Sequence, residues 1–407
     1  MRIEGDNMMG VKRTNRAAAL QLLHNNGSVS RKRLAETMGL TPAAITKIVA
    51  ELIDEGLITN GSAISGGGAG RREIMISLNP NAHCALGVLI NTRVAVLSAI
   101  WLDGSVIFSE EIELEAQADA EETVIELARR IEIKRREYAL TDELLIGIGI
   151  AVRGIVSEDG RVLCNSFGAL SADNYPLADE LEARTGLKTV MSNNVRALFA
   201  AHIFLSRDKD VSSQFFLRGE YGIGGSLSIN NRIWSGSSQQ CSEIGHVPVL
   251  RHGGRLCVCG KRGCLETISS PTAILTDARW ALSKERTPLL YSLSLEKGID
   301  GLTLTDVFES ARNGDKGCIA IINRAVEAIG SAIKNVIYVL DPQKIVLYGR
   351  MFDNDYYLSK LEKELRIGID SRHSVTIEKS RFNHQLEDRA AGLLAVSAYY
   401  ENGGMKF

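Results

Sequence analysis

Residues 243–266 read EIGHVPVLRHGGRLCVCGKRGCLE, and this stretch narrows the choice of fold further than any other in the chain. Cys257, Cys259 and Cys264 bring three soft sulfurs to one glycine-bearing loop, and His246 offers an imidazole upstream of them. Three thiolates and an imidazole complete a tetrahedral set for Zn2+ and leave no evident open position, so the pattern predicts a structural zinc site. His252 competes with His246 as fourth ligand, and three cysteines without a metal are the alternative. The loop holds too few apolar residues to fold by packing alone, which is the work a bound metal would do. Cys84, Cys164, Cys241 and Cys318 stand alone, so nothing suggests a disulfide framework.

Outward from that loop, 407 residues are too many for one core. With 45% hydrophobic and 24% charged residues the balance is that of a soluble globular protein. Three domains are expected: residues 1–80, an α/β lobe over 81–200 completed by a C-terminal helix within 386–407, and a second lobe over 201–385 carrying the zinc loop and an oligomerisation surface. The formal charge of -2 gives no global pull toward nucleic acid. Lys12, Arg13, Arg16, Arg31, Lys32, Arg33, Lys47, Arg71 and Arg72 nevertheless crowd the N-terminal part, so any such contact is local. The opening MRIEGDNMMG lacks the apolar run of a secretion signal, and no stretch approaches the roughly 18 apolar residues of a membrane span. A cytoplasmic protein with no membrane partner is expected.

The first eighty residues predict a winged helix-turn-helix. Ala18, Leu22 and Leu23 recur at helical spacing in RTNRAAALQLLHNN, and Gly27 stops that helix. Ser30 can cap a second helix over Arg31–Thr37, Gly39 supplies a tight turn, and Thr41-Pro42 starts a third. The third helix turns Ile45, Ile48, Val49, Leu52 and Ile53 inward and leaves Pro42, Ala43, Thr46 and Lys47 facing out, where a recognition helix meets base edges. Leu57–Thr59, the loop NGSAISGGGAGRR and an alternating strand over Glu73–Leu78 predict a hairpin wing whose tip carries Arg71 and Arg72. Ser30, Arg31, Thr41, Pro42, Ala43, Thr46, Lys47, Arg71 and Arg72 are the candidate DNA contacts. A protein-binding helical trio with a solvated Gly/Arg linker is the competing reading.

From Ala85 onward the pattern becomes apolar β-runs alternating with amphipathic helices: ALGVLI, VAVLSAIWL, a helix over Glu121–Tyr138, then LLIGIGIAV. SQFFLRGEYGIGGSLSINNRI opens a second lobe, helices fill 271–340, KIVLYG is another buried strand, and 386–400 reads as a closing helix. The two lobes look like variants of one theme. The fold class is α/β, a winged helix-turn-helix followed by two lobes.

Glu243, Gly245 and His246, the CxCGxxGCxE string from Cys257 to Glu266, and GIGG at 222–225 resemble the ROK family of repressors and sugar kinases. The N-terminal module is similar to that of the family's repressor branch, and the resemblance spans essentially the whole chain. It implies an actin-like ATPase fold, a sugar or sugar phosphate bound in the cleft between the lobes, and a homodimer or homotetramer facing a palindromic double-stranded operator. By matching residues it assigns sugar hydroxyls to Asn193, Asn194, Glu243, His246 and Glu266; Glu243 and Glu266 as supports of the zinc ligands remain the alternative.

Departures from the kinase pattern matter as much. Asn194 stands where a family kinase has its aspartate base, and an amide cannot take a proton from a sugar hydroxyl. Leu89, Asn91, Thr92 and Arg93 occupy the DxGGT phosphate loop, and Gly349 is followed by Arg350 where a nucleotide-binding glycine pair is expected. The glycines at 222–225 could cradle an anion or make a tight turn between strands. Arg196 adds a cation that could meet a sugar phosphate or pair with an acid. The expectation is therefore a non-enzymatic, sugar-responsive transcriptional regulator of carbohydrate genes. A sugar kinase and a regulator controlled by a protein partner are the alternatives.

Overall fold

Two side-chain caps and one left-handed residue set the geometry of the N-terminal module. The computed structural model describes residues 8–64, 73–115, 117–208, 211–250, 252–370 and 373–406. Helix α1 (Met8–Asn26) is followed by strand β1 (Ser28–Ser30), α2 (Arg31–Met38), α3 (Pro42–Asp54), β2 (Ile58–Ile64) and β3 (Glu73–Leu78). Ser30 Oγ accepts the Arg33 N–H at 3.2 Å to start α2, and Thr41 Oγ1 accepts the Ala44 N–H at 3.3 Å to start α3. Gly39, at φ 63°, makes the turn between them. The strands pair antiparallel in the order β1-β3-β2, with Val29 opposite Ile76 and Thr59 opposite Ser77. The strand β1 was not expected from the sequence. Leu20, Leu23, Leu34, Ile45, Val49, Leu52 and Ile76 form the buried centre.

Two expectations for these helices need correction. On α1 only Leu23 of the anticipated stripe is fully buried; Ala19 and Leu20 take the inward places, and Ala18 and Leu22 are half-buried. Ile53 on α3 is also half-buried. Arg71, Arg72 and the rest of the wing tip lie outside the described residues.

The chain forms two compact units, Met1–Lys209 with Gln385–Phe407, and Asp210–His384. The first unit continues with β4 (Cys84–Ile90), β5 (Val94–Trp101), β6 (Val106–Glu113), α4 (Ala120–Glu137), β7 (Leu145–Val152), β8 (Ile155–Val156), β9 (Leu163–Asn165), α5 (Leu177–Thr185), β10 (Thr189–Asn193) and α6 (Asn194–Ser206). Its sheet runs β10-β7-β4-β5-β6, antiparallel across β4, β5 and β6 and parallel across β4, β7 and β10. On one face Val124, Leu127 and Ile131 of α4 join Leu177 and Leu181 of α5 in the core. The C-terminal helix Glu387–Glu401 packs against β4, β5, β7 and α6. A Cβ on Gly149 would overlap the carbonyl of Ala391, and one on Gly87 would meet the backbone of Gly392, so the helix can sit this close only over glycine.

The second unit holds β11 (Ser213–Gly219), β12 (Ile223–Ile229), β13 (Arg232–Trp234), α7 (Glu266–Ser269), α8 (Pro271–Trp280), α9 (Pro288–Lys297), α10 (Leu304–Arg312), α11 (Lys316–Leu340), β14 (Lys344–Tyr348), α12 (Arg350–Asp353), α13 (Asp355–Arg366) and β15 (Thr376–Lys379); the C-terminal helix of the first unit is α14. Its sheet order is β13-β12-β11-β14-β15, again an antiparallel trio extended by parallel strands. Both units thus repeat one strand plan. Ile322, Ile329, Ile333 and Ile337 of α11 share a core with Phe215, Leu217, Ile345 and Leu347 of the sheet. Among the described residues no helix is long and apolar enough to cross a membrane.

Within the first unit, α1 fastens the helix-turn-helix to the lobe. Arg16, which the charge count places among surface cations, is only 2% exposed. Its Nε donates to the Gly403 carbonyl at 2.7 Å, just past α14, and Nη1 donates to Glu55 Oε1 at 2.7 Å, at the end of α3. Nη2 completes a bidentate pair with Glu55, whose hydrogen bond outweighs burial and holds the guanidinium pKa above its ordinary value. His24 Nε2–H donates to the Phe204 carbonyl of α6 at 2.9 Å. Burial lowers the pKa of His24 despite that bond, with Arg207 acting in the same sense and Asp103 opposing.

Removing Arg16 strips several charged hydrogen bonds from one buried group, although Glu55 keeps access to solvent. Arg16→Met is expected to cost about 2 to 4 kcal/mol in urea unfolding. A loss below about 0.5 kcal/mol would contradict the fastening role. Because the folded pKa of His24 lies below the unfolded value, its contribution is present above about pH 6.5 and is lost as pH falls. His24→Gln is expected to flatten that decline in a pH series of melting curves.

Candidate functional site

The cysteine loop is built by backbone turns that converge its donors. Cys257 N–H donates to the Lys261 carbonyl at 2.8 Å and Gly260 N–H to the Cys257 carbonyl at 2.9 Å, folding the loop back on itself. The donor atoms of His246, Cys257, Cys259 and Cys264 lie within 4.8 Å of one another, an arrangement able to hold a metal ion. Cys257 Sγ stands 3.4 Å from His246 Nδ1, and Cys259 Sγ stands 3.6 Å from Cys264 Sγ. A tetrahedron with ordinary zinc bond lengths has edges of about 3.6 and 3.8 Å for these pairs, so these two edges are close to those of a metal-bound set. His252 is not in the cluster. Without a cation, burial pushes the Cys257 thiol up to about 12; a bound divalent ion reverses that balance.

Beside the loop, Glu243 precedes the single turn Ile244–His246, and Glu266 opens α7 directly after Cys264-Leu265. Glu266 Oε2 accepts the Ile223 N–H at 3.2 Å and lies where a Cβ on Gly222 would stand. This carboxylate is therefore fixed by the β11–β12 turn. The 222–225 glycines belong to the β11–β12 hairpin, where Glu220 N–H donates to the Gly222 carbonyl at 3.2 Å.

The end of β14 carries an ion pair that sequence reasoning missed. Glu220, 5% exposed, accepts the Arg350 N–H at 2.8 Å and pairs with the Arg350 guanidinium, which also lies over the Tyr221 ring. A buried carboxylate and a bulky side chain thus occupy the place where the family's kinases offer glycine backbone to a nucleotide. The available signal was an acid placed between two apolar strands; its partner is 130 residues away.

In the first unit, three strand ends meet. Asn193 caps α6, its Oδ1 accepting from Val195 N–H at 2.9 Å, while its Nδ2 donates to the Gly154 carbonyl at 2.8 Å. Asn194, 3% exposed, donates to Asn91 Oδ1 at 3.2 Å. Arg153 Nη1 donates to Thr92 Oγ1 at 2.9 Å. Asn91, Thr92, Arg153, Asn193 and Asn194 thus join the ends of β4, β7 and β10, the side of a parallel sheet where ligands bind. Arg196 is buried one turn into α6.

On the helix-turn-helix, Thr41, Pro42, Ala43, Thr46 and Lys47 form one exposed face at the start of α3. Lys32 and Arg33 are exposed on α2, and Arg31 is half-buried. Ser30 is 4% exposed with its hydroxyl engaged as the α2 cap, so its place in the fold is structural. Arg16 belongs to the buried joint described above, and Lys12 pairs with Glu51 at 2.9 Å.

Fold and sites together define a class: a winged helix-turn-helix carried by a two-lobed, actin-like sugar-kinase fold. A model of the ROK family matches residues 102–395, and a model of the MarR family matches residues 14–60. The chain belongs to the ROK family. It is 29% identical over 354 residues to the DNA-binding transcriptional dual regulator NagC of Escherichia coli K12, covering 86% of this chain and 83% of that protein. It is 26% identical over 392 residues to the xylose repressor of Caldicellulosiruptor bescii, covering 95% of each. The crystal structure of a ROK family transcriptional regulator, described as a homologue of E. coli MLC, superposes with a TM-score of 0.80 at 24% identity, over 97% of this chain and 98% of that one.

The buried Glu220 and the missing phosphate loop predict that Asn194→Asp will not create a kinase. Coupled-assay turnover of ATP with a hexose panel is expected to stay at background in both the parent and Asn194→Asp; measurable turnover in either would contradict the reading.

Proposed function

We propose that this protein is a sugar-responsive transcriptional regulator, acting as a repressor of carbohydrate genes and holding a structural Zn2+ at His246, Cys257, Cys259 and Cys264. A homodimer or homotetramer sets two copies of α3 on a palindromic operator, and a sugar held by Asn193, Asn194, Glu243, His246 and Glu266 lowers operator affinity. The repressors and the dual regulator among its relatives support this class, as does the exposed α3 face with Thr41, Pro42, Ala43, Thr46 and Lys47. Arg31 and the wing cations Arg71 and Arg72 are the proposed phosphate contacts.

One observation carries the ligand-responsive part. The capped N-terminus of α6 holds Asn193 and Asn194, its last turn holds Phe204, and Phe204 accepts from His24 of the helix-turn-helix module. Arg16 meanwhile bridges the end of α3 to Gly403 in the turn after α14. A ligand that shifts α6 or α14 therefore pulls directly on the elements that carry α3. A coupling of about 1 to 3 kcal/mol is enough for a roughly 5- to 150-fold change in operator affinity, and linkage requires the operator to weaken sugar binding by the same factor.

Lys47→Ala is expected to lower affinity for a selected operator at least about fivefold with an unchanged melting temperature, read by fluorescence anisotropy. Metal analysis should find one zinc per chain, lost together with several degrees of melting temperature in Cys264→Ser or after chelation. Thermal melting with a panel of sugars, followed by operator binding with each stabilising sugar, tests the effector. If no sugar changes operator affinity, the proposal fails in favour of control by a protein partner.

A further inference from the structure

We propose that Arg255 is a positioning residue for the metal site: held by Asp277 of α8 and by the Thr267 carbonyl of α7, it keeps Cys257 and Cys259 where they can share an ion with His246 and Cys264. The inference rests on the zinc reading above and adds the side chain that keeps the four donors together.

The donors come from two parts of the loop with unlike support. Ile244, two residues before His246, and Leu265, directly after Cys264, belong to the core of the second unit. Pro248 pairs with Cys264 across an isolated antiparallel bridge, and Leu265 N–H donates to the Val247 carbonyl at 2.9 Å, so these two segments are also tied to each other. Cys257 and Cys259 have no such backing. The apolar side chains beside them, Leu256 and Val258, are 64% and 65% exposed and anchor nothing. The backbone bonds here run from Cys257 N–H to the Lys261 carbonyl and from Gly263 N–H to the Arg255 carbonyl, closing this part of the loop only on itself.

Arg255 supplies the missing attachment. Its Nη1 donates to Asp277 Oδ1 at 2.6 Å and its Nη2 to Asp277 Oδ2 at 3.3 Å, a bidentate pair, while Nη2 also donates to the Thr267 carbonyl. Arg262 donates back to the Gly254 carbonyl, and among the described residues no other side chain of 252–262 hydrogen-bonds to an α-helix. Asp277 is itself fixed, since Arg324 of α11 pairs with its Oδ2. Its side chain is only 14% exposed, so the pair with Arg255 works partly out of water, where salt screens it less. Arg255 stands two residues before Cys257, and a loop freed at Arg255 loses the placement of Cys257 and Cys259 together. A metal must then order the segment as it binds, and the entropy of that ordering lowers its affinity.

Titration of the reduced, zinc-depleted full-length protein with Zn2+ against the chromophoric chelator pyridylazoresorcinol tests this. Arg255→Met is expected to weaken zinc binding about tenfold or more and to speed zinc release to excess chelator. Asp277→Asn should do nearly the same, and the double variant should be little worse than either alone, because both remove one contact. Arg255→Lys, which keeps the charge pair without the fork, should fall between the parent and Arg255→Met. Arg324→Met removes the other partner of Asp277 without touching the loop and should stay within about twofold of the parent.

Melting curves separate positioning from simple structural support. If Arg255 only stabilised the fold, Arg255→Met would lower the melting temperature equally with and without zinc. A positioning residue makes the drop larger in the zinc-loaded protein, since weaker binding stabilises less. Equal drops in the two series, a zinc affinity that Arg255→Met leaves within about twofold of the parent, additive losses in the double variant, or an equal loss in Arg324→Met would each overturn the inference while the zinc site stands. If the parent takes up no zinc, the zinc reading fails and this inference with it.

Discussion

The close seating of α14 on the first sheet is the contact on which the rest of the first unit depends. Gly149 and Gly87 leave no side chain between the strands and the helix, so the backbone of Ala391 and Gly392 can rest on them. A lobe begun at Cys84 is therefore finished by residues at the far end of the chain. The same helix lies against α6, and the turn that follows it presents Gly403 to Arg16, so sheet, α6 and helix-turn-helix share one packing element. Interiors packed at this density do not deform continuously, and a shift at one edge of such a stack appears at the other.

Arg16 gives that stack its directional link to DNA. A buried guanidinium needs its acceptors in fixed places, and here they come from the end of α3 and from the turn after α14. Lys12 and Glu51 extend the pairing outward, and His24 with Phe204 forms a second fastening stacked at 3.8 Å between ring centroids. A recognition helix held in this way moves with the lobe that carries it. This suits a regulator better than a flexible tether would, because a tether transmits no rotation.

The loss of kinase chemistry is distributed over both units. In the first, Asn194 has replaced a base and Arg153 brings a positive charge to the strand ends. In the second, Glu220 and Arg350 fill the place of a glycine pair with a buried ion pair. Each change converts a place suited to a nucleotide phosphate or a proton transfer into one that only binds or blocks. The cysteine loop sits outside this erosion, since three thiols and an imidazole make a donor set able to hold a metal ion and offer no group for phosphoryl transfer.

Much of this was legible in the sequence wherever the deciding residues are neighbours. The cysteines of the metal loop are contiguous with the turns that aim them, the caps Ser30 and Thr41 act within three residues, and the apolar runs of β4, β7 and β14 declare buried strands by themselves. The sequence by itself therefore determined the architecture, the three thiol donors and the exposed face of α3. It could not choose between His246 and His252, nor see that Ala19 and Leu20, not Ala18 and Leu22, face inward on α1. Only the tertiary structure decided that Arg16 is buried, that His24 meets Phe204, that Glu220 meets Arg350, and that Arg153 stands beside Thr92. Those partners lie 387, 180, 130 and 61 residues apart, and a charged or polar side chain is read locally as solvated until a distant element removes its water.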